Sequence, residues 1–420
     1  MAGQGIWWRI AWRNLWRNPR RTLITAGALA VGFFSAVVIV GISDGITREM
    51  VLNGTEVITG QIQIHSRGYR PERSIYETLG GREGVEVARL LTAVSEVPGV
   101  RGAAARVLGG GLVSSGAETV AVGLMGFDPE LEPRVSRILT TVFEGRPPRR
   151  GAREILIGYE TRRKLDVAPG DEVVLVAPAA DGSMGNDLFV IAGVFRTGIY
   201  ALDGHQALVP MGALQELMVL EPSRVHEVAV ALVDAWAATR VAAELTTALT
   251  PMVDSIVAEP WTDFRAELQE YAALADAGNT IIVFIVFIMA IFGVANTLLM
   301  STYERRREFA VVSALGTSRG SIARTVVFEG LVLGILGLTF GAVLTWPTMV
   351  WLHNDPIDLS RLVGDITMAG SLVRPVITVD YSVDGPVISA VALFVTSLVA
   401  AVFPAYRAVR IPPADALAGR

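Results

Sequence analysis

The sequence predicts an α-helical membrane protein with four transmembrane helices and a large α+β domain outside the bilayer. Of its 420 residues, 51% are apolar and only 18% are charged, and the apolar residues concentrate in four stretches. A bilayer span requires about 20 largely uncharged residues, whereas an average soluble domain carries about 25% charged residues. A chain that is part membrane and part water-exposed domain explains this composition.

The four predicted spans are residues 22–43, 278–303, 321–351 and 385–406. Arginines precede the first span, separate the second from the third and follow the fourth, whereas the connection between the third and fourth spans is acidic. Because cytoplasmic loops carry an excess of Lys and Arg, residues 1–21, 304–320 and 407–420 are predicted to be cytoplasmic. Residues 44–277 and 352–384 are predicted to lie on the other side of the membrane.

Residues 1–21 are predicted to form an amphipathic helix in the cytoplasmic interface of the membrane. Trp8, Trp12 and Trp16 are interleaved with arginines at helical spacing, and indole rings prefer the interface. The alternative is a helix that packs on a soluble core.

The predicted outer domain, residues 44–277, repeats one order of elements. In the first copy, residues 61–65 are predicted to be a strand, 85–97 a helix, and 107–113 and 119–124 strands. In the second copy, residues 225–233 are predicted to be a strand, 236–249 a helix and 254–258 a strand. Two copies of this order indicate one porter-like α+β body built from two halves. A β-rich insertion at about 127–220 separates the halves, and stalk helices at 46–59 and 264–277 join the body to the first two spans.

Two short segments of this domain are interpreted as turns. Gly109, Gly110 and Gly111 lack the strand–turn–helix context of a nucleotide-binding fingerprint, so we expect a tight turn there. Residues 202–205 contain an Asp-Gly pair, which is typical of an ordinary exposed turn.

The sequence contains no recognisable catalytic constellation. It has no GxxxxGK[ST] phosphate-binding loop and no GxSxG elbow, its four histidines are scattered, and it has no cysteine. We therefore expect no catalytic residues, no metal site and no cofactor in this chain. The formal net charge of −5 argues against nucleic acid as a partner.

Glu329 is a carboxylate inside the third predicted span. Ionisable groups in membrane segments are functional candidates by default. The simpler interpretation is structural pairing near the interface, with Arg324 or an arginine of residues 1–21 as the cation. The alternative is a role in moving protons or ions.

Residues 295–318, ANTLLMSTYERRREFAVVSALGTS, closely resemble the signature of FtsX-like permeases, the MacB and LolC/LolE type of ABC transporter subunit. Residues 12–21 and 403–408 extend this resemblance toward both ends of the chain. The resemblance implies a multi-pass protein of the cell inner membrane, with the large domain in the periplasm and both termini in the cytoplasm. It also implies a transport subunit that is not itself an enzyme.

The resemblance further implies a mechanotransmission machine. A separate cytoplasmic ABC ATPase dimer, which binds ATP and Mg²⁺, would sit beneath two permeases, the second being another copy or a sister permease. Residues 304–315 would be the coupling helix, whose charged side chains contact the ATPase and whose Phe309 and Leu315 supply apolar anchors. The alternative is a merely solvated loop. The candidate coupling residues are Glu304, Arg305, Arg306, Arg307, Glu308, Phe309 and Leu315.

Residues 157–171 and 189–200 resemble the outer domains of LolC and LolE, which implies lipoproteins or related lipidic cargo. The hairpin between Val176 and Leu188 is shorter than the arm by which LolC docks a periplasmic chaperone. This departure from LolC counts against chaperone docking. Met184 at the hairpin tip is a candidate apolar contact for a chaperone or adaptor, and the alternative is a plain flexible turn. Two alternatives are open: a MacB-like efflux permease acting with a periplasmic adaptor, and an FtsX-like transmembrane signalling module.

Overall fold

The computed structural model describes residues 4–70, 72–81, 86–252, 255–358, 362, 366–368, 371–373, 376–379 and 384–410. The chain forms two compact units. The helical unit comprises Met1–Thr47, Ala273–Leu359 and Val376–Arg420, and the sheet unit comprises Arg48–Ala272 and Ser360–Pro375. Parts of the predicted 352–384 loop and of the 407–420 tail lie outside the described residues.

The helices are α1 (Gln4–Leu15), α2 (Pro19–Glu56), α3 (Val87–Ser95), α4 (Tyr159–Leu165), α5 (Tyr200–His205), α6 (Met211–Leu217), α7 (Ala238–Leu249), α8 (Trp261–Phe264), α9 (Ala266–Glu304), α10 (Arg306–Ala314), α11 (Arg319–Asn354) and α12 (Asp384–Val409). Within the described part of the chain, α2, α9, α11 and α12 are the four helices long and apolar enough to cross a membrane. The predicted fold class, four transmembrane helices plus an α+β domain, is confirmed. The boundary between the units falls within α2 and within α9, at the predicted stalk segments.

Helix α11 is the packing centre of the helical unit, and its glycines permit close approach of its neighbours. A Cβ added at Gly330 would lie 2.7 Å from the Cβ of Ala401 in α12, and one added at Gly337 would lie 2.6 Å from the Cβ of Leu29 in α2. Small residues four positions apart are the usual means by which helices approach closely in membranes, where lipid provides no hydrophobic drive. The same obstruction applies to Gly334 against Ser397 and to Gly341 against Phe33.

The strands are β1 (Ile62–Ser66), β2 (Leu79–Gly80), β3 (Val100–Ser114), β4 (Thr119–Phe127), β5 (Val142–Gly145), β6 (Glu154–Gly158), β7 (Glu172–Pro178), β8 (Met184–Phe195), β9 (Gln206–Pro210), β10 (Arg224–Val225), β11 (Glu227–Leu232), β12 (Ile256–Pro260), β13 (Ile357–Asp358), β14 (Ile366–Met368), β15 (Ser371–Val373) and β16 (Val376–Ile377). One sheet has the order β12-β1-β11-β3-β4-β9-β6-β8-β5, with β7 pairing β3 and β8. The two predicted strand–helix–strand copies meet in it, since β1 lies between β11 and β12. The insertion is no separate body, because β9 pairs parallel to β4 and carries β6 and β8 onward in the same sheet.

The predicted glycine turn is wrong, because Gly109, Gly110 and Gly111 lie inside strand β3. They pair with residues of β4, and β7 approaches β3 on its other edge. A Cβ added at Gly111 would lie 2.7 Å from the carbonyl oxygen of Val176. The glycines therefore serve close strand approach rather than chain reversal.

The predicted turn at residues 202–205 is also wrong, since these residues belong to helix α5. The buried carboxylate of Asp203 accepts hydrogen bonds from the backbone N–H and hydroxyl of Thr197, at 2.8 and 2.7 Å, and from the N–H of Gly198 at 3.1 Å. These three bonds explain why a charged residue is tolerated in the interior.

The packing of α11 leaves no room for a side chain at Gly337 unless Leu29 shifts. We expect Gly337→Ala to lower the free energy of unfolding by about 1–3 kcal/mol, the usual cost of overpacking. The matched control is Gly293→Ala in α9, where an added Cβ has no described atom within 4 Å, and where the better helix propensity of Ala predicts a neutral or stabilising effect. Thermal unfolding of both variants in detergent measures the difference, and equal shifts would contradict the assigned packing.

Candidate functional site at the α9–α11 connection

The connection between α9 and α11 is a short helix with defined ends. Glu308 in the first turn of α10 complements the positive end of the helix dipole. Gly316 follows with a φ of +95°, a conformation that favours glycine just past a helix. The Ser318 side chain then caps α11 by accepting a hydrogen bond from the N–H of Ser321 at 3.3 Å. Local sequence chemistry thus fixes α10 as a separate, bounded helix.

A buried ion pair ties this connection to α11. The Arg305 guanidinium donates to the carboxylate of Glu329 at 2.5 Å, and the Asn14 amide of α1 donates to the same oxygen at 2.8 Å. The two charged side chains are 14% and 3% exposed. The predicted structural pairing of Glu329 is therefore present, but its cation is Arg305. Arg324 is exposed, because five residues turn it about 140° around the helix from Glu329.

A second, more exposed layer joins the α1–α2 corner to the same connection. Arg21 donates to both oxygens of Glu304, at 3.0 and 2.6 Å, and the Asn18 amide donates to one of them at 3.2 Å. Arg17 donates to Glu308 at 2.7 Å. Neither Asn14 nor Asn18 was predicted as a site residue, although both lie in residues 12–21, which carry part of the family resemblance.

The pKa of Glu308 is lowered from its ordinary value. Partial desolvation acts to raise this pKa, but the hydrogen bonds and charges of Arg17 and Arg305 outweigh it. Because the folded-state pKa is depressed, the contribution to stability is present above the ordinary pKa of about 4.3 and is lost as the pH falls through the folded value. The Glu308 side chain is 45% exposed, so solvent screening keeps this contribution small.

Phe309 does not project from α10, so the prediction that its side chain is an apolar anchor for a partner is wrong. The side chain is buried, and the Arg305 guanidinium lies over its ring, 4.9 Å from the centroid. The reason is that α10 lies against α11 and α12 and needs an apolar side chain of its own in their interface. The residues of this cluster are Phe309, Ile322, Val326, Ala405 and Ala408.

The exposed face of α10 carries a different apolar pair. Leu315 is 81% exposed and Val311 is 45% exposed, and residues four apart share a helix face. Arg307, one turn before Val311, and Arg306 are also exposed. The i, i+4 spacing of Val311 and Leu315 in the sequence could have predicted this exposed face.

Helix α1 buries one face and exposes Trp8 and Trp12. Ala11 and Leu15 are buried, whereas Trp8, Trp12 and Trp16, which directly follows the helix, are 38–42% exposed. This is the pattern expected of a helix in a membrane interface.

Met184 lies in the sheet unit and is 63% exposed, at the end of the β7–β8 hairpin. The hairpin turn is short, and the N–H of Ala180 donates to the carbonyl of Met218 at 2.8 Å. Met184 is thus presented by a compact hairpin held against its own unit.

Among the described residues, no group of three or more His, Asp or Glu is placed to hold a metal ion.

Two family models match the chain. The MacB-like periplasmic core domain matches residues 22–248, and the FtsX-like permease C-terminal model matches residues 280–413. The chain belongs to the family with the MacB-like periplasmic core domain and is an FtsX-like, MacB-type ABC transporter permease. The resemblance drawn from residues 295–318 is confirmed.

Curated relatives align over almost the whole chain. The lipoprotein-releasing system transmembrane protein LolC of Xylella fastidiosa is 25% identical over 403 residues, which are 92% of this chain and 94% of the relative. The corresponding protein LolE of Haemophilus influenzae is 24% identical over 416 residues, 95% of each chain. The solved periplasmic region of MacB from Actinobacillus actinomycetemcomitans is 13% identical, covers 52% of this chain and 95% of that chain, and has a TM-score of 0.37.

The Arg305–Glu329 contact predicts strong coupling in a double-mutant cycle. We expect Arg305→Ala to cost about 3–5 kcal/mol of unfolding free energy, because it leaves a buried carboxylate unpaired. Adding Glu329→Ala to that variant should restore part of the loss. Denaturant titration in detergent measures the cycle, with exposed Arg324→Ala as the near-neutral control, and additive single effects would contradict the pair.

Proposed function

We propose that the chain is the permease subunit of a mechanotransmission ABC transporter that extracts or moves lipoproteins or related lipidic cargo from the inner membrane. The observation that carries this proposal is the α9–α11 connection. It presents an exposed face with Val311 and Leu315 and is tied to α11 through Arg305 and Glu329. The names of the relatives, lipoprotein-releasing system proteins, support the cargo class.

The helix lengths support a mechanical role. Helix α9 has 39 residues and α2 has 38, so each is about 58 Å long at 1.5 Å per residue. Displacement of α10 by a partner acts on the end of α9 at Glu304 and, through the buried ion pair, on α11. A displacement of the sheet unit then follows from the continuity of α2 and α9 across the unit boundary. Cargo need not pass through the helical unit.

The partners follow from this role. The driving force comes from a separate cytoplasmic ATPase dimer that binds ATP and Mg²⁺, and the chain itself has no catalytic residue and binds no cofactor. A second permease, either another copy or a sister chain, completes the transporter. Both termini and α10 lie in the cytoplasm and the sheet unit lies in the periplasm, where Met184 is the candidate contact for a chaperone or adaptor.

The exposed face of α10 predicts where the ATPase binds. We expect Leu315→Asp to weaken co-purification of the partner ATPase by about tenfold or more, because a charge replaces a central apolar contact. Val233→Asp is the matched control, since Val233 is 78% exposed and lies in the sheet unit. Undiminished ATPase binding by Leu315→Asp would contradict the assignment of this face.

Comparison of Phe309→Ala with Leu315→Asp distinguishes a residue that stabilises the fold from one that contacts the ATPase. Because Phe309 is buried, its truncation should lower the unfolding free energy by about 3–5 kcal/mol. Leu315→Asp should leave that free energy nearly unchanged, so the two variants differ in which quantity they affect.

Reconstitution tests the cargo. Liposomes that contain the permease, its cognate ATPase and a triacylated lipoprotein should release the lipoprotein when ATP is added. The matched sample carries Leu315→Asp, in which we expect release to fall with ATPase binding. No release of lipoprotein, together with ATPase stimulation by a small hydrophobic compound, would overturn lipoprotein transport in favour of MacB-like efflux. ATP-dependent activation of a cell-wall hydrolase without any transport would favour an FtsX-like signalling module.

A further inference from the structure

The sheet unit contains a cavity of about 190 Å³ against one face of its central strands. The strand register explains why side chains converge there. Glu227 pairs with Arg106, and Leu108 pairs with Met125, and directly paired residues project on the same face of a sheet. Gln206 of β9 joins this face through its pairing with Gly123. Side chains of neighbouring strands thus build one wall of the cavity.

Arg106 lies in this wall and is held in place by buried ion pairs. It is fully buried, donates to both oxygens of Glu132 at 3.1 and 2.6 Å, and donates to Glu227 at 3.2 Å. Ser136 donates to Glu132 at 2.5 Å. The guanidinium is therefore occupied by protein carboxylates, and the binding capacity of the cavity must come from other groups.

Tyr69 is one such group. Only 3% of the residue is exposed, and its ring contacts those of His65 and His226, at centroid distances of 5.5 and 5.9 Å. Burial, together with the charge of Glu227, raises the pKa of Tyr69 to about 12, so its hydroxyl remains a proton donor. The hydroxyl oxygen is not one of the fully buried atoms without a partner, and it forms no hydrogen bond with a described residue. Since Tyr69 lines the cavity, its hydroxyl is available to a ligand there.

Arg73 is the second free donor. It lines the cavity and forms no ion pair with any residue that the structure describes, whereas Arg70 beside it is held by Gln63 at 2.7 Å and by Glu259 at 3.2 Å. The backbone of Arg73 has a φ of +50° and its N–H donates to the carbonyl of Tyr69 at 2.7 Å. A non-glycine residue in this conformation is uncommon, and such residues cluster at ligand-binding sites.

Apolar side chains also line the cavity. They are Ile58, Leu108, Met125 and Leu202. A pocket with an apolar wall and a few convergent polar groups is the usual form of a small-molecule site.

We propose that this cavity binds a small carboxylate with a short apolar chain, whose carboxylate accepts from Arg73 and the Tyr69 hydroxyl and whose chain lies against Leu108 and Met125. Guanidinium and phenol donors form charge-assisted hydrogen bonds to a carboxylate. All residues that line the cavity belong to the sheet unit, and the proposal does not depend on which cargo the transporter moves.

Calorimetric titration of the full chain in detergent with hexanoate tests this site. We expect saturable binding that Tyr69→Phe and Arg73→Gln each weaken by about tenfold or more, because each variant removes a donor to a charged group. Arg67→Gln is the matched control, since Arg67 is exposed in the same segment and does not line the cavity. Hexanamide, which has the same chain without the charge, should bind more weakly than hexanoate.

Three results would overturn the proposal: no saturable binding of hexanoate, unchanged affinity in both Tyr69→Phe and Arg73→Gln, or tighter binding of hexylamine than of hexanoate. The last would assign the cavity to cations through Glu227. Thermal unfolding of Tyr69→Phe, which keeps the aromatic ring, shows whether a loss of binding comes from the missing hydroxyl or from a loss of folding.

Discussion

The helical unit depends on one buried contact, the ion pair between Arg305 and Glu329. Two charges in an interior cost several kcal/mol each to desolvate, so the pair persists only because it is well formed and because Asn14 adds a further donor to the same oxygen. The contact joins three segments that are distant in sequence: α1, the α9–α10 junction and α11. Since an unpaired Glu329 would be strongly unfavourable, α10 cannot leave α11 without a large cost in free energy. This constraint makes the connection a defined structural element rather than a loop.

Around that contact the chain uses weaker and more adaptable interactions. The exposed pairs formed by Arg17 with Glu308 and by Arg21 with Glu304 add orientation but little energy, as is usual for surface ion pairs. Farther along α11, its glycines allow α2 and α12 to pack closely against it. The unit is therefore fixed by one buried ion pair and by the close packing of the α11 glycines.

The sequence predicted the fold well because hydropathy, charge asymmetry and strand–helix order are local signals. The four apolar stretches of the sequence correspond to four long helices in the structure. The repeated strand–helix–strand order corresponds to strands β1, β11 and β12, which lie side by side in one sheet. The site was predicted less well, because the direction of a side chain at a helix junction depends on tertiary packing. Phe309 and Arg305 lie in a charged segment that looks exposed, yet both turn inward once α10 lies on α11. The polar face that carries Arg106 and Glu227 was not predicted either. The two residues share a face because their strands pair in a particular register, and that register cannot be read from one strand alone.

The distribution of helix-breaking residues fits the proposed mechanical role. Helices α11 and α12 contain Pro347 and Pro404, and proline in a helix interior removes a hydrogen bond and favours a kink. Helices α2 and α9, within which the unit boundary falls, contain no proline beyond the first residue of α2. A displacement applied at one end of an uninterrupted helix reaches the other end, whereas a kinked helix absorbs part of it by bending. The two helices that continue into the sheet unit thus have no interior proline, and the two that stay within the helical unit each have one.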